Sequence, residues 1–279
     1  MATDDIGTPE DAVVRPPGEA IESIHIRAPA ERNRPLQRLI AAVNGDDQVK
    51  AWWHAAATNA MRLHMSDHSW VHIQIVLNIA LRLARLLFRA GVTPSAVADH
   101  GLGERDAEVI VAAGSLFHCV GMAVHRVDHE AYSLFMTADK LGALLEGIYE
   151  EPARSILVTE AMHTIIAHRR GGSPFTVEGG IVRVADALDM ERGRSRVPFE
   201  AGFRNIHSLS AYAIEDVKIG PGEERPVKVE IAMSNSAGIF QIDELLATKL
   251  RGSGIEQHVE VVASIEAEQE ERLITVFRI

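Results

Sequence analysis

A succession of amphipathic segments between residues 36 and 189 constrains the fold more than any other feature of this chain. One of them, Ile73–Phe88, is apolar except for a polar stripe that recurs at helical intervals, which is typical of a helix with a broad buried face. Short segments rich in Gly and Pro separate these amphipathic segments. The predicted helices are Leu36–Val43, Gln48–Leu63, Val71–Ala90, Arg105–His118 or beyond, Ala131–Tyr149, Pro152–His168 and Phe175–Met190. The pattern predicts a helical bundle over residues 36–210.

The periodicity changes after about residue 210. Val227–Met233, His258–Ile265 and Leu273–Ile279 alternate as strands do, and Ile242–Leu250 has the pattern of a helix between them. We therefore predict a mainly α protein with a small C-terminal α+β domain over residues 211–279, whose role is dimerisation or regulation. Residues 1–35 hold five of the 11 prolines and predict an irregular N-terminal arm.

Composition and charge exclude several classes of protein. A net charge of −11 argues against a duplex-DNA binder, which needs a broad basic face. The N-terminus has no basic segment leading into an apolar one, and we expect Ile73–Phe88 to be too short and too polar to span a membrane. The single cysteine, Cys119, excludes an internal disulfide and is typical of a reducing compartment. These observations predict a cytoplasmic protein without a membrane partner.

Histidines are numerous, 13 in all, and several occupy apolar surroundings. His64, His68 and His72 are spaced by four residues, which would place them along one side of a helix, with His72 toward the buried side. Such a histidine either binds a metal or is a core histidine bonded to a backbone carbonyl. His118 and Cys119 end a second apolar run, and imidazole and thiolate are both good metal ligands. A buried free cysteine beside a hydrogen-bonded histidine is the alternative.

A third and a fourth segment add further ligand-type side chains. His163 and His168 lie on the predicted helix that ends near residue 168. Asp186 lies within the apolar run Val184–Leu188, where a carboxylate must be paired or bound to a metal, and an ion pair with Arg183 is the alternative. Four predicted helices thus each offer a ligand-type residue from an apolar face, which is how a helical bundle builds a divalent metal site.

These residues, in this order, resemble the pattern of the HD-domain metal-dependent phosphohydrolases. His72 matches the family's first histidine, and His118-Cys119 in Leu-Phe-His-Cys-Val-Gly resembles the family's Leu-Leu-His-Asp-Ile-Gly. Asp186 in Val-Ala-Asp-Ala-Leu-Asp matches the final aspartate. The resemblance covers roughly residues 60–195 and implies an HD-type helical bundle. It also implies that His129 and His163 match the intervening second-metal histidines, with His168 as a competitor of His163.

One position departs from this family pattern, because Cys119 stands where the family has its paired aspartate. A thiolate can ligate zinc beside His72, His118 and Asp186, but it is a poor bridge between hard ions that prefer oxygen. The departure implies an altered metal preference, a mononuclear site or a loss of catalysis.

The resemblance implies hydrolysis of a small phosphorylated substrate, such as a nucleotide, by metal-activated water, with Zn, Mn, Fe, Ni or Mg as the ion. His125 and His168 are the candidates for moving protons. Seven arginines between residues 169 and 204 suit a phosphoester, and a solvated linker face is their alternative role. The candidate substrate-binding residues are Arg126, Arg169, Arg192 and Arg194. A homodimer is expected. A non-catalytic binding protein on the same fold, or di-iron redox chemistry, are the competing hypotheses.

Overall fold

The structure is a computed structural model, and it describes residues 17–191, 210, 212–265 and 276–278. Its longer helices carry the bundle, and a short 3-10 helix, Val120–Ala123, lies between α6 and α7. The helices are α1 (Pro17–Glu22), α2 (Arg34–Asn44), α3 (Asp47–Arg62), α4 (Trp70–Arg89), α5 (Ser95–His100), α6 (Glu104–Phe117), α7 (His129–Leu144), α8 (Ala153–Ala167) and α9 (Val177–Leu188). α10 combines the helical turn Gly238–Gln241, the π-helical segment Ile242–Ala247 and the turn Thr248–Leu250.

Side-chain caps explain where several of these helices begin. Asn33, Asp46 and Thr176 each accept a hydrogen bond from the backbone N–H three residues further on, at the start of α2, α3 and α9. Ser69 accepts from the N–H of Val71 and begins α4. Inside the bundle, α6 packs against α4, α8 and α9, and α9 also packs against α4 and α8. The mainly helical class predicted from periodicity is therefore confirmed, and the apolar faces of α4, α6 and α9 form its core.

The predicted helix bounds agree with the structure to within two residues, except at the end of α7 and at the start of α10, which begins four residues before the predicted Ile242. The prediction that this helix extends to Tyr149 is wrong, because α7 ends at Leu144 and Gly147 then adopts a left-handed φ of 72°. Sequence reasoning also missed α5. This short helix lies between two glycine-containing segments, and the buried Glu178 carboxylate accepts hydrogen bonds from the N–H groups of Ser95 and Ala96 at its start.

The irregular arm predicted for residues 1–35 needs a correction. Within its described part, Pro17–Glu22 is helical, and Ile24 and Ile26 are buried in the bundle core. The Asn44 side chain fixes this segment, since it accepts from the N–H of Ile26 and donates to the carbonyl of the same residue. Buried apolar side chains and paired backbone groups thus hold residues 24–33 in place.

The C-terminal residues form the predicted small α+β unit. Its sheet has the order β1-β2-β3-β4, with β1 antiparallel to β2, β2 parallel to β3, and β3 antiparallel to β4. The strands are β1 (Ile214–Pro221), β2 (Val227–Met233), β3 (Val259–Ile265) and β4 (Val276–Arg278). β2 and β3 alternate between buried positions and half-buried or exposed ones, as predicted, and α10 connects them.

Sequence reasoning missed β1, which includes Gly220 and Pro221. β1 is an edge strand with few buried side chains, so its sequence lacks a clear alternation. The α+β unit packs against the bundle, since α10 contacts α9, and β1 and β2 contact α4.

Two helical stretches, Trp70–Arg89 and Glu104–Ala123, are long and apolar enough to cross a membrane by length and composition. The first stretch, with 20 residues, is longer than the segment Ile73–Phe88 that was expected to be too short to span a membrane. The most apolar parts of the two stretches are 61% and 83% buried inside the protein, which is typical of core helices in a soluble protein.

Candidate metal centre

The centre lies where the start of α4, the end of α6 and the last turn of α9 meet. His72 lies in the first turn of α4, His118 directly follows α6, and Asp186 precedes the end of α9. All three residues are buried. Cys119 follows His118 and is also buried. The structure thus brings together residues from three of the four segments that the sequence singled out.

Each of the two central imidazoles donates a hydrogen bond from its outer nitrogen. His72 Nδ1 lies 2.5 Å from Asp189 Oδ2, and His118 Nδ1 lies 2.8 Å from the carbonyl oxygen of Ser115. A carboxylate and a carbonyl accept hydrogen bonds, so Nδ1 carries the proton in both rings. A neutral ring protonated at Nδ1 presents the lone pair of Nε2, which is the form that binds a metal.

The two Nε2 atoms and one oxygen of Asp186 face one another. The Nε2 atoms of His72 and His118 are 3.0 Å apart, and Asp186 Oδ1 lies 3.4 Å from the first and 3.7 Å from the second. Two ligands bound at about 2.1 Å to a tetrahedral ion are about 3.4 Å apart, so these separations match a shared cation. Without a metal, a proton takes this role. Burial alone lowers the pKa of His118, but the nearby Cys119 and Asp186 raise it to about 9.

Cys119 completes this group of donors. One ligand atom each from His72, His118 and Cys119 lies within 4.8 Å of the others. Burial alone raises the pKa of the Cys119 thiol, but the imidazoles of His118 and His72 lower it to about 6. A thiolate next to imidazole nitrogens is a donor set that suits zinc and other borderline-soft ions, so the residues fit a divalent metal ion.

Asp186 is paired with Lys249 rather than with Arg183. The Lys249 ammonium, at the end of α10, contacts Asp186 Oδ2, so the two carboxylate oxygens face different partners. Burial alone raises the pKa of Asp186, but Lys249, His118 and His72 hold it well below its usual range. Arg183 instead donates to backbone carbonyls at the end of α8 and in α10, including those of Ala167 and Lys249.

A second group of possible ligands lies beside the first. One ligand atom each from His129, Glu130 and His168 lies within 4.8 Å of the others. The His168 ring meets the His118 ring edge-on at 4.9 Å, so the two groups are neighbours. Burial lowers the pKa of His168 well below its usual value, and His118 and Lys249 add to this effect. The Arg126 guanidinium lies 3.1 Å from His129 Nδ1, at the edge of this group.

The structure places the other predicted site residues apart from these groups. His163 stacks on Phe175 with 3.6 Å between ring centroids, so His168, its competitor in the sequence, is the histidine of α8 that meets the cluster. His125 is exposed, and its Nδ1 accepts from the N–H of Val127. The Arg169 side chain is exposed. Arg192 and Arg194 lie outside the described residues.

The prediction that His64, His68 and His72 lie along one helix is wrong. α3 ends at Arg62 and α4 begins at Trp70, because Asp67 and Ser69 form the start of α4. His68 nevertheless lies next to the centre through tertiary packing, with its ring 5.5 Å from that of His72.

The helical structure is also interrupted between α6 and α7, at Gly121. A Cβ atom at this position would lie 2.0 Å from the His129 carbonyl oxygen. This close approach brings His129 next to His118.

Sequence reasoning missed Lys249. Its helix was predicted, but no local pattern links a lysine of α10 to an aspartate 63 residues earlier in the chain. A lysine near the C-terminal end of a helix is usually solvated, because its charge interacts favourably with the helix dipole there. The sequence therefore carried no signal for a buried contact with Asp186.

Comparison with known proteins identifies the family of the chain through an archaeal relative. The chain is 39% identical over 208 residues to an uncharacterized protein of the archaeon Methanocaldococcus jannaschii, a match covering 75% of this chain and 80% of the relative. The chain belongs to the family of that protein. No protein-family model matches the chain, and no solved structure matches it.

Proposed function

We propose that this protein is a metal-dependent phosphohydrolase with an HD-type bundle, acting on a nucleotide or another phosphoester. The observation that supports the proposal is the convergence of His72 Nε2, His118 Nε2 and Asp186 Oδ1 within 3.0–3.7 Å of one another. Three acceptor atoms facing one another in a buried site repel each other unless a cation lies between them. This convergence also supports the match of these residues to the HD pattern.

The chain's own residues have distinct roles in this reaction. His72, His118, Cys119 and Asp186 would hold a divalent ion, which would supply Lewis acidity toward a water molecule and a phosphoryl oxygen. His168 donates from Nδ1 to the carbonyl of Ile165 and is neutral, so its Nε2 accepts a proton next to the centre. Arg126 brings a permanent positive charge to the second group of donors, where it binds a phosphate oxygen.

A second candidate is a non-catalytic phosphoester-binding protein on the same fold. The pairing of Asp186 with Lys249 favours it, because an ammonium already neutralises one oxygen of this ligand. Cys119 in place of an aspartate favours it as well. In this case, the protein binds the ligand without hydrolysing it.

The test combines metal analysis with an activity panel. We expect the protein purified without chelators to contain close to one divalent ion per chain. We also expect it to hydrolyse at least one member of a panel of nucleoside monophosphates, cyclic nucleotides and nitrophenyl phosphates when supplied with Mn²⁺, Co²⁺, Ni²⁺, Zn²⁺ or Mg²⁺. Asp186→Ala removes a ligand, so both the metal and the activity should be lost.

Glu178→Gln is the matched control. Glu178 is an equally buried carboxylate on the same helix, but it binds the start of α5. This variant should retain metal and activity. If the metal content of Asp186→Ala is unchanged, the proposed metal centre is wrong. If the metal-loaded protein binds the phosphoesters without hydrolysing them, the non-catalytic alternative is correct.

A further inference from the structure

We propose that Lys249 is a positioning residue of the metal centre, which limits Asp186 to a single metal-binding oxygen. This inference rests on the metal centre of the proposed function and assigns a role to the C-terminal α+β unit within it. The inference is argued from the position of the Asp186 carboxylate, which lies between the imidazoles of His72 and His118 on one side and the Lys249 ammonium on the other.

The two oxygens of Asp186 have separate partners. Oδ1 lies 3.4 and 3.7 Å from the Nε2 atoms of His72 and His118, whereas Oδ2 contacts the Lys249 ammonium. The Lys249 side chain is 8% exposed and that of Asp186 is 11% exposed, so water competes little for this contact. An ammonium with three donors holds a buried carboxylate oxygen firmly, and that oxygen is then unavailable to a metal.

The backbone of Lys249 is also held against α9. Arg183 Nε donates to the Lys249 carbonyl oxygen at 2.9 Å, one helical turn before Asp186. One turn earlier, Gly180 permits the close approach of the Ser253 carbonyl, which would lie 2.1 Å from a Cβ atom at that position. Gly180, Arg183 and Asp186 therefore form one stripe of α9 on which the end of α10 and the segment directly after it dock, and this docking delivers the ammonium to the carboxylate.

The charges of the site support the same role. Asp186 and Asp189 bring two carboxylates to a buried region, and the Lys249 ammonium contacts one of them. Buried charges are tolerated when they are paired and hydrogen-bonded, so Lys249 offsets negative charge at Asp186 itself.

The proposal predicts a change in metal binding when the charge of Lys249 is removed. In Lys249→Met, Asp186 Oδ2 loses the ammonium that holds it, and a cation that repels the metal is lost. We expect Co²⁺ to bind about tenfold more tightly or more than in the wild type, because both effects favour the ion. We also expect a weaker visible d–d absorption per Co²⁺, since a bidentate carboxylate raises the coordination number.

Two further variants separate positioning from mere structural support. Lys249→Arg keeps the charge and should retain the wild-type Co²⁺ affinity and spectrum. Lys140→Met is the control, because it removes the ammonium of another partly buried ion pair, with Asp46 at 2.9 Å. This control should leave both readouts unchanged.

Each result has a distinct meaning. If Lys249→Met has the affinity and spectrum of the wild type, the inference about Lys249 is wrong while the metal centre stands. If the wild type binds no Co²⁺, the metal centre is wrong and the role of Lys249 falls with it. If Lys249→Met does not fold, Lys249→Gln takes its place with the same expected tightening, and unchanged or weaker binding in that variant overturns the proposal.

Discussion

At the scale of single residues, the protein orients its ligands through their outer atoms. Asp189 fixes His72 and the Ser115 carbonyl fixes His118, so that both Nε2 lone pairs point to one place. Lys249 does the same for Asp186 through Oδ2. Such outer partners set the tautomer and direction of each ligand, and their loss typically lowers metal affinity by about 10- to 100-fold.

Cys119→Asp tests whether the thiol is the altered ligand. The substitution replaces a soft sulfur by a hard oxygen, so we expect a higher affinity for Mn²⁺ or faster phosphoester hydrolysis with Mn²⁺. Mn²⁺ titration and initial rates measure the two effects. Cys119→Ser, which removes the sulfur without adding a carboxylate, should gain neither. An aspartate variant without any gain would contradict the assignment of this position.

The ionisation of Cys119 gives a pH-dependent prediction. Its pKa is lowered to about 6 from 9.0, whereas that of His118 is raised to about 9 from 6.5. The ultraviolet absorption of the thiolate in the metal-free protein should therefore appear as the pH rises through about 6. Between pH 6.5 and 9, the proton that Cys119 releases on folding is matched by the one that His118 gains. Within this window, the pair should therefore make the stability of the protein nearly independent of pH, so absorption is the proper measurement.

His118→Asn provides the control for this titration. Without the imidazolium, burial dominates and should return the midpoint toward or above 9.0. A midpoint near 9.0 in the unmodified protein would contradict the described contact between the two side chains.

At the scale of elements, α9 is the helix on which the molecule depends most. All of its residues after Val177 are buried, and the helix contacts α4, α6, α8 and α10. Glycine at position 180 makes the contact with α10 possible, and Arg183 binds the carbonyl groups that end α8. A helix that is apolar on nearly every side tolerates a charged residue only where such partners are present.

Gly180→Ala tests this docking. The new Cβ atom would meet the Ser253 carbonyl oxygen at 2.1 Å, so the segment after α10 must shift, and we expect a loss of about 1–3 kcal/mol in the free energy of unfolding. Gly142→Ala on α7 is the matched control, since a Cβ atom there meets no atom within 4 Å. This control should gain about 0.5–1 kcal/mol because alanine favours the helix. Urea denaturation measures the free energy of unfolding of both variants and of the wild type. If Gly180→Ala is as stable as Gly142→Ala, the close contact between Gly180 and Ser253 is contradicted.

At the scale of the whole molecule, the bundle and the α+β unit share one core and one site. The core is continuous from Ile24 near the start of the described chain to Ile265 in β3. The C-terminal unit was expected to serve dimerisation or regulation, yet it contributes Lys249 to the centre. A ligand that binds the centre therefore stabilises both units together.

Removal of the metal should lower the thermal stability of the entire chain. A metal present at about 100 times its Kd contributes about 2.7 kcal/mol, which corresponds to a Tm decrease of about 5–10 °C when a chelator removes it. Scanning calorimetry with and without chelator measures the decrease. Asp186→Ala should melt at the same temperature in both conditions. A single transition is expected, and an unchanged Tm in the wild type would argue against a resident metal.

The sequence by itself determined the local structure and most members of the centre. The period of apolar residues specified the helices, since each helix must bury one face, and His72, His118 and Asp186 were recognisable because polar groups on such faces require partners. The tertiary structure alone decided which partner each one found. Lys249 rather than Arg183 pairs with Asp186, and His168 rather than His163 meets the cluster. These outcomes depend on the angles at which distant helices pack, and a periodic pattern specifies the face that a residue occupies but not the residue that it meets across the core.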